Sequence, residues 1–592
     1  MAIRYNLSSR CSALLDPGLR FASLLLLTDP YIHQEVNIMK PDTSTVDPVD
    51  LNLARRHTVG DALTRAAEKH PQQIAVVEGE RRISYAQLDH DAEAIARGII
   101  NLPDAPEQGE PVAIMVANSA DFLAIYFGIA KSARVALPIN YALTPSDIAW
   151  ILDDAGVRTV IIDDAMLPLL EATIAEGVTI DNVVVRETGT GAVENEAALS
   201  MATNYARVDL TDLLATPVDD ELRLIISSDD IVQCLYTSGT TARPKGALAT
   251  HSAVVTGVMS NAVLIGKDWG EHPGTMLLCL PLFHVTGLNT LAKPVLFLGG
   301  TLVLQQGFDP AAVLDAIERE KVTVFTGLPM MWAALIAENQ RQTRDLSSME
   351  TAMYAMAQMP ERILAGMDAM MPNARKVLGS GQTEVVPATT FQRTEHRHGK
   401  NGSWGVPSPT VRTRIMAPDG RLLPPGEVGE IVYRGPHVTA GYWNRPDANK
   451  EAFRHGWFHS GDVGYMDDEG VVWFVDRVKD IIKTGGENVS SMKVERIVAD
   501  APGVIECTVI GTPDDHWGEA VTAVVCSDKV PAVSEVSAEQ RQQIASEVEA
   551  EILSHVRDHL SGVETPKRVW FVEALPKTST GKIRKNVLRE EF

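Results

Sequence analysis

Apolar and polar positions follow two alternating periods from about residue 55 onward. Residues 60–68 repeat apolar side chains at helical spacing, and residues 73–77 form a short apolar run typical of a buried strand. The same alternation returns in the strand-like residues 112–116, the helix-like residues 120–131 and the strand-like residues 159–162. Strands that alternate with helices predict parallel sheets covered by helices on both faces.

The pattern changes twice further along the chain. Residues 175–228 are rich in Thr, Gly and acidic residues, which predicts irregular surface excursions. Turn-rich, strand-like segments such as 429–434 follow. After about residue 480 a compact alternation of about 110 residues has the size of a separate small domain. Its helix, predicted over 538–560, begins with a capping box formed by Ser537 and Gln540.

These patterns predict an α/β protein divided into three parts. Residues 1–50 are expected to be a flexible N-terminal extension. Residues 51–478 are expected to form a large domain with parallel-type sheets flanked by helices and a β-rich subdomain, and residues 479–592 a small, mobile C-terminal α+β domain. The length of 592 residues supports this division, because one hydrophobic core rarely serves so long a chain.

Composition excludes several classes of function. The 77 acidic and 53 basic residues give a formal net charge of −24, whereas affinity for nucleic acid comes mainly from Lys and Arg. The five cysteines are scattered, which argues against a disulfide framework or a structural zinc site and favours a cytoplasmic location. No apolar stretch approaches the roughly 20 residues of a membrane span. Peripheral membrane contact and a homodimer are left open.

A loop that follows the strand-like residues 231–235 carries the most specific chemistry. Backbone N–H groups and hydroxyls can converge on phosphate oxygens there, and a lysine adds positive charge. Pro244 stands where the Walker pattern requires glycine, so this is a different phosphate loop. The alternative is a plain surface turn. The candidate phosphate-binding residues are Thr237, Ser238, Gly239, Thr240, Thr241 and Lys245.

The string 235–246 resembles the signature of the adenylate-forming superfamily, specifically its acyl-CoA synthetase and fatty-acid–CoA ligase branch. The resemblance runs from about residue 55 to the C-terminus and includes residues 116–119 and 140–145. Ala242 departs from the family's usual glycine; in a left-handed conformation alanine would cost roughly 1–2 kcal/mol.

The resemblance implies roles for a second segment, which consists of Gly379, Ser380, Gly381, Gln382, Thr383 and Glu384. In relatives this segment borders adenine and the phosphates. Thr383 matches a residue that binds the α-phosphate, and Glu384, with Thr237, matches the position of a Mg²⁺ ligand. Ser380 replaces the aromatic residue that commonly stacks on adenine. Taken without the other motifs, the segment would be read as a plain loop.

Three further positions match residues near the nucleotide and the domain hinge. Asp462 resembles the family carboxylate that accepts hydrogen bonds from the ribose hydroxyls, and Arg477 the arginine that contacts the nucleotide. Lys479 resembles the hinge about which the small domain turns. In isolation, a turn aspartate and a surface salt bridge would explain the first two.

The C-terminal part supplies the remaining matches. Lys483 and the loop Gly485, Gly486 and Glu487 resemble the family segment that lines the thioester-forming site. Lys582 matches the catalytic lysine of the family. A simple β-turn and a solvated surface lysine are the alternatives.

The acyl pocket carries the weakest sequence signal. His284 resembles a histidine that gates the acyl site, with a buried structural histidine as the alternative. Met356 stands where relatives have glycine, and we expect it to shorten or reshape the pocket. Neighbouring methionines are expected to be helix core rather than a ligand box: Met349, Met353, Met359, Met367, Met370 and Met371.

The resemblance therefore predicts an acid–thiol ligase that uses ATP, Mg²⁺ and coenzyme A. It would activate a carboxylic acid, fatty or related, through an acyl-adenylate and transfer the acyl group to coenzyme A. One alternative is an acyl-AMP ligase that delivers to a free carrier protein. The other is a catalytically silent nucleotide- or acyl-binding relative, which the departures at Ala242, Ser380 and Met356 keep open.

Overall fold

The computed structural model describes residues 43–189, 205–237, 243–267, 273–355, 359–577 and 583–592. The chain divides into two compact units, Met1–Leu51 and Asn52–Phe592. In the first unit the described residues begin with a turn, and a helix starts at Pro48.

Two large mixed sheets dominate the second unit. In the described residues the first sheet has nine strands, in the order Val406–Pro407, Val385–Phe391, Arg375–Gln382, Thr351–Tyr354, Val324–Gly327, Thr275–Leu278, Thr301–Leu304, Ile74–Glu78 and Arg81–Ser84. The other has eight, in the order Gly441–Tyr442, Lys245–Thr250, Ile231–Thr237, Val135–Pro138, Pro111–Met115, Thr159–Asp163, Asn182–Arg186 and Ala206–Asp209. The central pairs in both sheets are parallel, as the alternating pattern predicts.

Two smaller sheets follow in the chain. An antiparallel sheet contains Arg412–Met416, Gly429–Arg434, Phe458–Met466 and Val472–Arg477. The last sheet contains Glu487–Val489, Ile482–Thr484, Gly518–Ser527, Val504–Asp514 and, paired with Gly518–Ser527, Arg568–Phe571. The predicted boundary at 478/479 falls between these sheets, and its role as a domain division stays a prediction.

The helices cover the sheets. Their bounds in the described residues are Pro48–Arg55, Val59–Lys69, Tyr85–Ile100, Ala120–Lys131, Pro145–Ala155, Leu167–Ala175, Leu210–Leu214, His251–Leu264, Lys293–Leu298, Pro310–Glu320, Pro329–Arg341, Glu361–Met370, Pro446–Ala452, Ser491–Ala499, Ala538–Arg557 and Lys585–Glu591. Short 3₁₀ turns span Asp164–Met166, Thr394–Arg397 and Arg454–Gly456, and a π-helix spans Thr286–Ala292.

Local sequence signals explain where several helices begin and end. Thr144 caps Pro145–Ala155 by accepting the Asp147 N–H, and Gly156 ends it at φ 70°, a conformation that glycine adopts without strain. The capping box at Ser537 is confirmed, and its helix ends at Arg557. Not one described helix is both long and apolar enough to cross a membrane.

The prediction for residues 175–228 is wrong for the strands at 182–186 and 206–209 and the short helix at 210–214, whereas residues 215–228 contain no helix or strand, as predicted. Asn182–Arg186 is a fully buried parallel strand, and Ala206–Asp209 adds the sheet's edge strand. Three consecutive valines form the centre of the first strand. So short an apolar run is compatible with a helix or a strand, and pairing with neighbouring strands stabilises it as a strand. Residues 190–204 lie outside the described residues.

The main core lies between the two large sheets. Apolar residues of both sheets pack on helix Ala120–Lys131, whose side chains are buried on nearly every face. A helix that is apolar all round belongs in such an interior layer. Thr237 and Lys245 lie at strand ends of the eight-stranded sheet, and Gly379–Glu384 lie at the end of a strand of the nine-stranded sheet and in the turn after it.

Candidate active site

The predicted phosphate loop connects two antiparallel strands of the eight-stranded sheet. Thr237 ends one strand and pairs in register with Lys245, which begins the other. The Thr237 hydroxyl donates to the Lys245 carbonyl at 3.3 Å. Ser238, Gly239, Thr240, Thr241 and Ala242 lie outside the described residues, so their predicted roles stay predictions.

The base of this hairpin is anchored by a polar cluster that the motif did not reveal. The Tyr236 hydroxyl donates to one carboxylate oxygen of Asp154 at 2.6 Å, and Arg445 pairs with the other at 2.6 Å. The Trp443 indole N–H donates to the Asp154 carbonyl at 2.9 Å. Burial, followed by the bond to Asp154, raises the pKa of Tyr236 well above its ordinary value. The phenol therefore stays a hydrogen-bond donor.

The second predicted segment is a strand and a tight turn rather than a plain loop. Gly379, Ser380, Gly381 and Gln382 lie at the end of strand Arg375–Gln382. A Cβ atom at Gly381 would lie 2.3 Å from the Pro387 carbonyl oxygen, so this close approach requires glycine.

The turn that follows this strand consists of Thr383 and Glu384, between paired residues of two antiparallel strands. The Glu384 carbonyl accepts the Thr439 N–H at 2.7 Å, and Glu384 Oε1 accepts the Tyr442 hydroxyl at 2.9 Å. The Lys245 ammonium lies 5.1 Å from the centre of the same tyrosine ring. The structure thus brings Lys245 and Glu384 to the ring and the hydroxyl of the same tyrosine, and Thr237 pairs with Lys245.

The candidate ribose residues are direct neighbours. Asp462 and Arg477 are partners across two antiparallel strands, and Arg477 Nε lies 3.1 Å from Asp462 Oδ1. Asp462 is buried. Glu430 shapes the turn before it, because its carboxylate contacts His459 Nδ1 at 2.7 Å and accepts the Gly461 N–H at 3.1 Å. Glu430 and His459 are 29 residues apart, so no local pattern indicates their contact.

The predicted hinge residue lies in a densely charged segment. The Lys479 side chain is exposed, and partial desolvation lowers its pKa to about 8, with nearby arginine and lysine charges acting in the same direction and Asp480 opposing it. On either side of it, Asp476 accepts the Ser491 hydroxyl at 2.8 Å and Asp480 pairs with Arg589 at 2.8 Å. These contacts connect the predicted hinge to the C-terminal sheet and helices.

The predicted thioester-site residues form a β-hairpin. Lys483 and Glu487 lie on its two strands, and Gly485 and Gly486 form its turn with φ of 58° and 83°. The Gly485 N–H donates to the Trp517 carbonyl at 2.9 Å. Lys582 lies outside the described residues.

The predicted acyl-side histidine follows the carboxyl end of a strand. His284 is partly exposed, and its Nδ1 accepts the Thr286 N–H at 3.2 Å. Asn118, which is buried, holds the preceding backbone: it accepts the Leu282 N–H at 2.8 Å and donates to the Leu280 carbonyl at 2.9 Å. His284 is therefore not a fully buried structural residue.

The methionines are core residues, as predicted, but only Met367 and Met370 lie on a helix, and Met353 lies on strand Thr351–Tyr354. Met349, Met353, Met359, Met367 and Met371 are buried in core clusters, and Met370 packs against one. Met356 lies outside the described residues.

A separate cavity of about 430 Å³ contains none of the predicted site residues. Its lining includes Asp61, Asp89, Glu93 and Lys131, and Lys131 lies 2.9 Å from Asp89 and 3.3 Å from Glu93. Because size alone does not define an active site, the convergence of polar groups near Tyr442 carries more weight.

The residues near Glu384 fit a magnesium ion that arrives with a nucleotide. In the described residues there is no group of three or more His, Cys, Asp or Glu side chains that could hold a metal ion. Mg²⁺ is commonly held by one or two carboxylates together with substrate phosphates and water. The Glu384 carboxylate matches that type of site, and Thr237, which precedes the predicted phosphate loop in the chain, is the predicted second ligand.

Comparison with known proteins identifies the class of protein. A family model described as "AMP-binding enzyme" matches residues 63–443, and one described as "AMP-binding enzyme C-terminal domain" matches residues 493–582. The chain therefore belongs to the AMP-binding enzymes, the adenylate-forming superfamily, in its acyl-CoA synthetase branch. It is an acid–thiol ligase of the AMP-forming type, as predicted.

Individual relatives cover nearly the whole chain. A feruloyl-CoA synthase of Amycolatopsis sp is 35% identical over 538 residues, which are 91% of this chain and 100% of that relative. A long-chain-fatty-acid–CoA ligase of Mycobacterium tuberculosis is 32% identical over 542 residues, 90% of this chain and 98% of the relative. The crystal structure of ATP-bound MatB from Rhodopseudomonas palustris has a TM-score of 0.74 at 28% identity and covers 90% and 98% of the two chains.

Proposed function

We propose that this ligase activates a carboxylic acid with an extended apolar body, fatty or aryl, and transfers it from AMP to coenzyme A. The observation that carries the proposal is the placement of Lys245 and Glu384 against Tyr442, with Thr237 paired to Lys245. A cation, a hydroxyl and a carboxylate at the base of a phosphate loop are suited to a triphosphate and its counterion.

The first step joins the acid to the nucleotide. A carboxylate oxygen attacks the α-phosphorus of ATP, the bond from that phosphorus to the bridging oxygen breaks, and pyrophosphate leaves. Negative charge builds on phosphate oxygens, so fixed cations and donors supply most of the stabilisation. We assign Lys245, Thr383 and the loop 237–241 to this task, with Lys582 as a second cation. Mg²⁺ held by Glu384 and Thr237 would neutralise triphosphate charge.

The second step releases AMP. The thiol sulfur of coenzyme A attacks the acyl carbon, loses its proton, and displaces the phosphate oxygen of AMP. We propose that Asp462 and Arg477 hold the ribose and nucleotide, that the small domain turns about Lys479, and that Lys483 and Gly485–Glu487 then face the reacting anhydride. The contacts of Asp476 and Asp480 with the C-terminal helices support a hinge at this position.

The acyl site is proposed at the carboxyl ends of parallel strands. Thr275–Leu278, Val324–Gly327 and Thr351–Tyr354 are neighbours in one sheet and end at the same edge, which is where α/β sheets bind ligands. Buried Met331, Met359 and Tyr354 line the apolar layer beneath this edge. Feruloyl and long-chain fatty acids are the substrates in the names of two relatives, and both have an extended apolar body.

A panel of short, medium, long-chain and aryl acids tests this function. Protein, ATP and Mg²⁺ are mixed with each acid, and pyrophosphate, AMP and thioester are followed with and without coenzyme A. We expect a thioester with at least one extended acid, and its loss in Lys582→Ala but not in Lys577→Ala, a control lysine that pairs with Glu506 at 2.8 Å. Pyrophosphate without thioester would indicate delivery to a carrier. No nucleotide binding would contradict the proposal.

A further inference from the structure

Tyr442 contacts two groups of opposite charge that the proposed reaction needs. Its hydroxyl donates to Glu384 Oε1 at 2.9 Å, and the Lys245 ammonium lies 5.1 Å from the centre of its ring. A hydrogen bond to a carboxylate favours the ionised form of that carboxylate, and the face of an aromatic ring attracts an ammonium ion. One side chain therefore stabilises both the anion and the cation as charged groups.

The backbone of Tyr442 is held firmly enough to set these positions. Gly441 and Tyr442 form the edge strand beside Lys245–Thr250 and pair with Leu248 and Ala247. The Tyr442 N–H donates to Asn449 Oδ1 at 2.7 Å, and Asn449 Nδ2 donates to the Tyr442 carbonyl at 2.9 Å. Edge pairing and a two-point side-chain contact leave this residue little freedom to move away from the site.

Tyr442 also separates two groups that attract each other. Lys245 belongs to the eight-stranded sheet and Glu384 to the nine-stranded sheet, and these two residues do not form an ion pair with each other. Opposite charges in a partly buried cleft attract strongly. A direct pair would leave neither charge available to a nucleotide. The tyrosine keeps the cation at its ring face and the anion at its hydroxyl.

We propose that Tyr442 is a positioning residue for ATP binding, which sets the separation of Lys245 and Glu384 so that the triphosphate and its Mg²⁺ fit between them. The inference rests on the proposed function and deepens it. Tyr442 acts through Lys245 and Glu384 and need not touch a reacting atom.

Two substitutions separate the functions of the hydroxyl and the ring. Tyr442→Phe keeps the ring beneath Lys245 and removes the bond to Glu384, whereas Tyr442→Leu removes both contacts. Calorimetric titration with ATP, in the presence of Mg²⁺ and in the presence of a chelator, measures each variant without any acyl substrate. We expect Tyr442→Phe to weaken Mg²⁺-supported ATP binding by about tenfold, the loss typical of one hydrogen bond to a charged group. With chelator the loss should be much smaller, and Tyr442→Leu should weaken both titrations.

Tyr85→Phe is the matched control. The Tyr85 hydroxyl is buried and donates to the Leu296 and Gly300 carbonyls at 3.0 and 2.7 Å, and it contacts none of the predicted nucleotide residues. We expect this variant to lower the thermal midpoint while leaving both ATP titrations unchanged. Steady-state kinetics of Tyr442→Phe should show a raised KM for ATP and unchanged KM values for acid and coenzyme A.

The possible outcomes are distinct. The inference is overturned if Tyr442→Phe binds ATP with Mg²⁺ as tightly as the unaltered protein does. It is also overturned if Tyr442→Phe loses thermal stability like Tyr85→Phe while the Mg²⁺ dependence of its ATP affinity is unchanged, because Tyr442 is then structural only. Tighter Mg²⁺-supported binding in Tyr442→Phe would also overturn it. If the unaltered protein itself fails to bind ATP, the proposed function fails instead.

Discussion

The nucleotide side and the acyl side of the candidate site are built in different ways. The nucleotide side consists of Thr237, Lys245, Glu384 and Tyr442, and each of these makes a specific polar or cation–π contact. The acyl side consists of the segments that follow the strands ending at Leu278, Gly327 and Tyr354. It rests on an apolar layer that includes several buried methionines.

This difference explains what can be read from the sequence about each side. A buried or half-buried charge needs a partner of defined chemistry, so the residue types on the nucleotide side are narrowly restricted. An apolar wall requires only suitable volume and shape, and many residues supply them. Two relatives of similar overall identity, 35% and 32%, have names that indicate different acids.

Glu384→Gln tests the nucleotide side with the largest expected effect. Replacing the carboxylate with an amide removes the negative charge proposed to bind Mg²⁺. Pyrophosphate release should fall by about 100- to 1,000-fold, the range for losing one group that stabilises transition-state charge. Glu551→Gln, which removes an exposed partner of Lys529, is the control and should leave turnover unchanged. Equal turnover in Glu384→Gln and the unaltered protein would contradict the assignment.

Met367→Ala tests the apolar layer of the acyl side. Met367 is fully buried on helix Glu361–Met370, so its truncation leaves a cavity. The free energy of unfolding should fall by about 2–5 kcal/mol, with ATP affinity unchanged. Met370 lies on the same helix but is only partly buried, so Met370→Ala should lower the free energy of unfolding by less. Urea unfolding of both variants measures this difference. A large loss of ATP affinity would mean that the two sides are not independent.

Lys479→Met gives the smallest expected effect, at the predicted hinge. In the folded protein the pKa of Lys479 lies at about 8, below its ordinary value of 10.5. Between these values the unfolded chain binds more protons than the folded protein, so this residue makes stability rise as pH increases from about 8 toward 10.5. Solvent screening keeps the rise small, because the side chain is exposed.

Urea unfolding measures the free energy of unfolding of the unaltered protein and of Lys479→Met at pH values below and above 8. Lys479→Met should lose the pH-dependent increment, whereas Lys493→Met, which removes a half-exposed lysine, should retain it. An increment that survives in Lys479→Met would assign the pH dependence to another group.

Much of the fold follows from local pattern. Helix 120–131 lies at Ala120–Lys131, and the strand expected at 159–162 lies at Thr159–Asp163. The capping box at Ser537 is also present. These elements follow from the spacing of apolar side chains along the chain and from hydrogen bonds between residues a few positions apart. Asn182–Arg186 was not predicted, because a run of three valines gains strand stability only from the parallel neighbours that bury it.

The sequence by itself determined the superfamily and the alternation of helices and strands, and it predicted the phosphate-loop, Glu384 and Asp462 positions. Only the tertiary structure decided which groups meet. Tyr442 and Glu384 are 58 residues apart, and Tyr236 and Asp154 are 82 apart. The physical reason is that a hydrogen bond depends on distance in space. Strand pairing in two different sheets brings Tyr442 to Glu384, and the placement of helix Pro145–Ala155 beside strand Ile231–Thr237 brings Asp154 to Tyr236, each within 3 Å.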